Sequence, residues 1–369
     1  MVHGSNSISK AAIIGAGPAG CMCAYFLQDY LDVTVFDYAS PLRTLLPTGG
    51  GRCNLAHAEY DFKELAKNYP RGEKFLYSVF SKFKTDDTIE FFEKIGVKTY
   101  TQKDGRIFPE SNSSKDVREK FLKSLKKVRF EKEMVSELDF ANYDYLVAAT
   151  GGHSSFSMLK KAGHNIIAPK PSLVGLKTDE RFPAGVSIKN VSSCGFCDDI
   201  LFTHQGVSGP LIYKISSINA RRDFPYNICL NFYKGLELQE FLDKNPHKTI
   251  KNLLSEFIPK SFAEHVLNRL QITPDLKCCN VSGIVRDSIV NLLTNYRLNI
   301  TGTAKGGEVV TSGGVDLNEV NSKTMESKIV PNLYFCGEVL DIDGFCGGFN
   351  LQNCWSTAYV AAQGIISRS

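Results

Sequence analysis

The sequence predicts an α/β fold, in which a parallel-sheet domain assembled from two separated segments is interrupted by a β-rich domain and a small helical domain. Three observations predict it. A complete β-α-β unit opens the chain within roughly 30 residues. Buried-strand patterns then recur far apart, at Tyr143 to Ala149 and at Asn332 to Cys336. Between them, from about residue 170, the texture changes to short β-like runs and a helical stretch. The expected boundaries are 1–169 with 326–369 for the discontinuous domain, 170–235 with 297–325 for the β-rich insertion, and 236–296 for the helical domain.

Each element has a local reason. Ala11-Ala12-Ile13-Ile14 is a short apolar run suited to a strand covered on both faces. Gly15-Ala16-Gly17-Pro18-Ala19-Gly20 follows at once. Ala19 to Tyr30 carries Cys23, Phe26, Leu27 and Tyr30 at helical spacing, and Val33-Thr34-Val35-Phe36-Asp37 is a second strand. Helices are predicted at 73–82, 85–95 and 115–126. The second opens on Thr85, Asp86 and Asp87, which suit a helix N-terminus, and stops at Gly96. Pro169 and Pro171 open the insertion, where Gly185 to Val191 and Tyr226 to Tyr233 read as strands. Asn332 to Cys336 restores a buried strand and Leu351 to Ile366 a helix.

Composition excludes several classes. The 43 Lys+Arg against 39 Asp+Glu leave a net charge of +4, so no nucleic-acid partner is expected. A 43% hydrophobic, 22% charged chain of 369 residues is globular and exceeds one core of typical size. The eleven cysteines include the adjacent Cys278-Cys279 and the close Cys21 and Cys23, which suits reduced thiols in a cytosol. The apolar run Ala11 to Leu27 is broken by Gly15, Gly17, Pro18 and Gly20, and no stretch approaches the roughly 20 apolar residues of a membrane span. The expectation is a soluble, cytoplasmic protein without a membrane partner; the oligomeric state is left open.

The first motif is G-x-G-x-x-G between a strand and a helix. There Gly15 permits the tight turn, Gly17 lets a pyrophosphate reach the backbone, Gly20 lets helix pack on strand, and the helix N-terminus faces the phosphates. Asp37, 17 residues after Gly20, ends the second strand where a carboxylate can accept from ribose hydroxyls. This pattern serves NAD or FAD equally. Three later features favour FAD: Thr48-Gly49-Gly50-Gly51-Arg52-Cys53-Asn54, with a cation beside exposed backbone N–H groups; the strand ending in Ala149-Thr150-Gly151; and the strand ending in Cys336-Gly337-Glu338, followed by Gly344, Gly347, Gly348 and a helix.

With these features the chain resembles the glutathione-reductase-type FAD proteins and, more closely, the BaiN-like (YhiN-type) family of bacterial NAD(P)/FAD-dependent oxidoreductases. The matching stretches are IIGAGPAG at 13–20, TGGGRCN at 48–54, GRIFPES at 105–111, LFTHQGVSGP at 201–210, TSGGVDLNEV at 311–320 and TMESKIVPNLYFCGEVLDIDGFCGGFNLQ at 324–352. The resemblance implies a Rossmann-like FAD domain of glutathione-reductase type interrupted by β-rich and helical domains. It implies FAD contacts at Gly15, Ala16, Gly17, Pro18, Ala19, Gly20, Asp37, Gly50, Gly51, Arg52, Cys53, Thr150, Gly151, Gly337, Glu338, Asp343, Asn350, Leu351 and Gln352, with a backbone contact to the adenine near Val135. The turn from Asp343 to Asn350 is expected to face the isoalloxazine. There the following helix would aim its N–H groups at the N1–C2=O edge, and a Cβ at Gly347 or Gly348 would hold the ring away.

The chain departs from its relatives after Gln352, where Asn353-Cys354-Trp355-Ser356-Thr357-Ala358 replaces small residues and a Ser-Gly pair; this bears on substrate choice. It also has no second G-x-G-x-x-G, so NAD(P)H would bind only transiently as donor, or electrons would come from the substrate. Cys194-Gly195-Phe196-Cys197 reads as ordinary thiols rather than a redox dithiol or half a zinc site, and no metal is expected. His204 could line a cavity, His153 could lie near the cofactor, and no catalytic residue stands out. The expected function is an FAD-dependent oxidoreductase acting on a small-molecule substrate, its flavin reduced by NAD(P)H or the substrate and reoxidised by oxygen or another acceptor. The alternatives are a GidA-like tRNA-modifying flavoprotein, disfavoured by the modest charge, and a flavin-binding protein without turnover.

Overall fold

The run Lys10–Ile14 lies between two parallel neighbours, and Ala11, Ala12, Ile13 and Ile14 are all buried, as a strand covered on both faces requires. In the computed structural model, which describes residues 8–152, 156–232, 237–304 and 310–369, this strand is the middle of a five-stranded parallel sheet. The order is Leu333–Phe335, Tyr145–Ala148, Lys10–Ile14, Asp32–Phe36, Arg129–Glu131. Helix Pro18–Leu27 supplies the first crossover and packs on the final helix, Phe349–Ile366, which is buried along most of its length. The expected Rossmann-type α/β domain is therefore present, with strands from both ends of the chain side by side.

The contacts divide the chain into two units, Met1–Lys170 with Val310–Ser369 and Pro171–Val309. The first unit also carries a small antiparallel sheet of Ala56–His57, Arg106–Pro109 and Thr99–Thr101. Its helix Thr85–Lys94 begins at the expected residue, with Lys84 as the N-cap: the Lys84 N–H donates to Asp87 Oδ2 at 2.7 Å, and Thr85 Oγ1 donates to the carbonyls of His57 and Glu59 at 3.1 and 2.7 Å. Residues 310–325, placed by the sequence with the insertion, group with the first unit, where strand Val310–Val315 pairs with Ile166–Ser172.

The second unit is an antiparallel six-stranded sheet in the order Ser187–Ser193, Phe196–Thr203, Gly206–Ser208, Leu176–Thr178, Tyr296–Thr303, Tyr226–Leu230. A bridge between Ser192 and Asn231 joins the last strand to the first, so the sheet closes on itself. Helices Leu238–Lys244, Ile250–Leu254, Lys260–Arg269 and Gly283–Thr294 contribute Leu242, Leu253, Phe262, Leu267 and Ile289 to the same core as Phe202, Leu230 and Tyr296. No described helix is long and apolar enough to cross a membrane.

Candidate functional site

The glycines of the first turn do different work. Gly15 has φ +111°, and a Cβ there would lie 2.3 Å from the Ala149 carbonyl oxygen; at Gly20 it would lie 1.9 Å from the Gly15 oxygen. Both are demanded by the protein's own packing, turn against strand and helix against turn. At Gly17 the nearest atom would be Thr44 Oγ1 at 3.7 Å, so this glycine keeps the mouth of the helix open. Helix Pro18–Leu27 has no side-chain cap, and Pro18 lacks an N–H. The N–H groups of Ala19 and Gly20 precede the first helical bond, Cys21 N to Gly17 O at 3.0 Å.

A cleft of about 330 Å³ opens at that helix mouth, lined by Gly15 to Ala19, Asp37, Arg43, Thr150, Gly151 and Glu338. A second, of about 420 Å³, shares Gly15, Asp37, Tyr38 and Thr150 and extends to Phe36 and Val135. Asp37 stands where the two share their walls. Its Oδ2 accepts from Ala16 N at 2.7 Å and its Oδ1 from Ala39 N at 2.8 Å, and each oxygen keeps a further lone pair for a hydroxyl. Gly50, Gly51 and Gly151 have φ of +68°, +85° and +75°, and a Cβ on any of them would meet nothing within 4 Å among the described residues beyond its chain neighbours. Thr150 Oγ1 is buried with no partner among the described residues. Arg52 lies with its guanidinium 4.2 Å over the Phe108 ring and donates from Nε to Gly49 O at 3.3 Å. Cys53 is buried with φ +66°, and burial pushes its thiol up to about 12, so it is no thiolate.

The turn 343–348 is held from several sides. Asp343 is fully buried and ion-paired through both oxygens with Arg71. Asn350 brackets Gly344, accepting from its N–H and donating to its carbonyl, each at 2.8 Å. Tyr69 donates to Phe349 O at 2.6 Å. Gly337 N–H donates to Thr357 Oγ1 at 2.9 Å. Gln352, expected at the cofactor, turns its side chain into the core, where Oε1 accepts from Thr88 at 3.0 Å and Nε2 donates to Ser356 at 2.9 Å. Leu351 is partly buried beside it. At Gly348, where the flavin was expected to demand glycine, the protein's own backbone already does: a Cβ would strike Ala56 O at 2.4 Å, and φ is +101°.

Sequence reasoning missed Arg43, Arg71, Tyr38 and His57. His57 sits on the strand Ala56–His57 with Nδ1 3.1 Å from Gly347 O and its ring stacked on Phe349 at 4.7 Å. The positive charge of Arg43 before the glycine run was the one local signal available. Tyr38 directly follows Asp37 and lines the same two clefts, whereas His57 and Arg71 reach the site through contacts far apart in sequence. In the second unit, Cys194 and Gly195 are the central residues of a hairpin turn, at φ +52° and +82°, and Cys197 pairs across from Ser192, so the C-x-x-C spacing is spent on turning the chain. His204 is exposed in the next hairpin turn, and His153 lies outside the described residues. Among the described residues no group of three or more His, Cys, Asp or Glu could hold a metal ion.

Two contiguous clefts suited to an extended dinucleotide, an uncapped helix mouth, open left-handed glycines and the buried Thr150 hydroxyl, which has no partner among the described residues, together fit FAD. The fold and this site define an FAD-dependent oxidoreductase. The chain belongs to the family described as HI0933-like protein Rossmann domain, which it matches over residues 9–145 and 137–364, and the resemblance to BaiN-like flavoproteins is borne out. It is 30% identical, over 97% of its length and 98% of the relative's, to a protein of Escherichia coli named ribosomal RNA dihydrouridine synthase. It is 26% identical, over 98% and 100%, to the 3-dehydro-bile acid delta(4,6)-reductase of Clostridium scindens. Among solved structures, 3-ketosteroid delta1-dehydrogenase of Sterolibacterium denitrificans shares the fold at a TM-score of 0.50 and 10% identity, over 98% of this chain and 100% of that one. An E. coli quinol fumarate reductase, FrdA, does so at 0.50 and 12%, over 98% and 70%.

Proposed function

We propose that this flavoprotein is a reductase that saturates a C=C bond conjugated to a carbonyl group. The observation that carries the reading is the chemistry shared by the names of its relatives. Dihydrouridine is uridine with its carbonyl-conjugated ring double bond saturated, and a delta(4,6) reduction of a 3-oxo bile acid acts on double bonds conjugated to the 3-oxo group. FAD, when bound, supplies hydride chemistry suited to such a polarised bond. The chain's part is to hold the cofactor: Asp37 at the ribose, Ala19 and Gly20 N–H with Arg43 at the pyrophosphate, Val135 beside the adenine, and Gly50, Gly51 and Arg52 with the 343–350 turn at the isoalloxazine. NAD(P)H is the proposed transient donor, and the leading substrate is a small conjugated ketone.

A uracil base in ribosomal RNA is the second reading, favoured by the 30% identity over nearly the whole of both chains. Anaerobic protein is reduced with NADH or NADPH while the flavin absorbance is followed. It is then mixed either with a conjugated steroid ketone or with ribosomal RNA from cells lacking the gene. Reoxidation by the ketone with a product two hydrogens heavier supports the first reading, and dihydrouridine in the digested RNA supports the second. Reoxidation by oxygen alone, with neither product, counts against both.

A further inference from the structure

We propose that His57 is a positioning residue that sets which face of the Gly347-Gly348 peptide is turned toward the flavin. The proposal rests on the reading that the 343–350 turn lies at the isoalloxazine. A carbonyl oxygen can only accept, so the 3.1 Å contact between His57 Nδ1 and Gly347 O requires the proton on Nδ1. A trans peptide points its C=O and its N–H in opposite directions. Holding the Gly347 carbonyl toward His57 therefore holds the Gly348 N–H away from it, next to the free N–H groups that begin helix Phe349–Ile366, which has no side-chain cap.

Glycine peptides rotate easily, and both of these residues have positive φ, +136° at Gly347 and +101° at Gly348. The hydrogen bond restrains that rotation. Reversed, the peptide would present a carbonyl oxygen where it now presents a donor.

The imidazole is itself fixed from several directions. It stacks on Phe349 at 4.7 Å with the planes 26° apart. Its backbone carbonyl accepts from Thr85 Oγ1. Gly105, at φ +83° in the adjoining hairpin, leaves room for the ring, since a Cβ there would lie 2.6 Å from Nε2. Flavin reduction places negative charge on the N1–C2=O edge, so an N–H facing it favours the reduced cofactor and a carbonyl disfavours it.

The test is potentiometric titration of FAD-loaded wild type, His57→Leu, His57→Asn and Asn350→Ala. Asparagine can offer its side-chain N–H to Gly347 O, whereas leucine keeps bulk against Phe349 and donates nothing. His57→Leu is expected to lower the reduction equilibrium on the order of tenfold, about 30 mV for a two-electron couple, and His57→Asn to restore the wild-type value. A wild-type potential in His57→Leu, with Asn350→Ala shifted, overturns the role of His57 and leaves the placement of the flavin standing. Wild-type potentials in both overturn the placement as well. Where His57→Leu fails to retain FAD, the comparison moves to FAD affinity: wild-type binding by His57→Asn supports the proposal, and equal loss in both variants overturns it.

Discussion

Asp37 is tied into the fold as well as facing the cleft, because its two oxygens accept the N–H groups of Ala16 and Ala39. Replacing it therefore has two effects that can be separated. Asp37→Ala should weaken FAD binding by about 1–3 kcal/mol, the scale of hydrogen bonds to a charged group, and should lower the melting temperature of the apoprotein by loosening the glycine turn. Titrating apoprotein with FAD reads the first effect and thermal melting without FAD the second. An unchanged dissociation constant would mean that Asp37 does not meet the ribose. Gly50 and Gly348 make the complementary pair. Alanine at Gly50 meets open space and costs the apoprotein only the roughly 1–2 kcal/mol of a left-handed residue, so Gly50→Ala should show itself mainly as lost FAD affinity. Gly348→Val adds a collision with the Ala56 backbone to that strain, and should lower apoprotein stability before any cofactor is added. Equal melting temperatures for the two apoproteins would contradict this division.

At the scale of elements, the best-buried charge cluster among the described residues of the second unit joins a loop, a helix and a strand. Glu180 accepts from Tyr296 at 2.6 Å, pairs with His265 at 3.0 Å and is ion-paired with Arg269. Burial pushes its carboxyl up, but the hydrogen bonds from His265 and Tyr296 and the Arg269 charge outweigh it, and the net effect holds the carboxyl below its ordinary value. A carboxylate depressed in the folded state contributes stability above the unfolded value of about 4.3 and loses it as pH falls through the lowered folded value. Denaturant unfolding of wild type should thus weaken across that acid range, and Glu180→Gln should flatten that part of the profile; an identical profile in the variant would sink the idea. Sequence patterning reached the elements whose signal is local. The strand at Tyr143 to Ala149 is observed as Tyr145–Ala148, because burial on both faces leaves a continuous apolar run, and the helix at 115–126 as Ser114–Ser124, because burial on one face writes itself into spacing. Strand Arg129–Glu131 was invisible: it is a three-residue sheet edge whose one apolar side chain, Phe130, is exposed between two charged residues, so no buried pattern marks it. The site divided in the same way. Its glycines and Asp37 follow one another along the chain, whereas His57 meets Gly347 across 290 positions and Arg71 meets Asp343 across 272.

For the whole molecule, every described residue lining the two clefts belongs to the unit formed by Met1–Lys170 and Val310–Ser369. A ligand that binds only the folded state stabilises what it binds by about 2.7 kcal/mol at a free concentration of 100 times its dissociation constant. Native-state hydrogen exchange with and without FAD can therefore show how the chain divides into cooperative parts. FAD should raise protection at Ala11 to Ile14 and Tyr145 to Ala148 by about that amount and leave Tyr226 to Leu230 unchanged. An equal gain in both places would mean that the chain opens as a single unit. The same exchange data address the proposed separate helical domain at 236–296. Phe262 and Leu267 share a core with Phe202, Leu230 and Tyr296, and a shared core protects its members together. The helices are thus expected to open at the same free energy as the strands they cover, and earlier opening confined to residues 238–294 would instead establish the helical segment as a domain of its own.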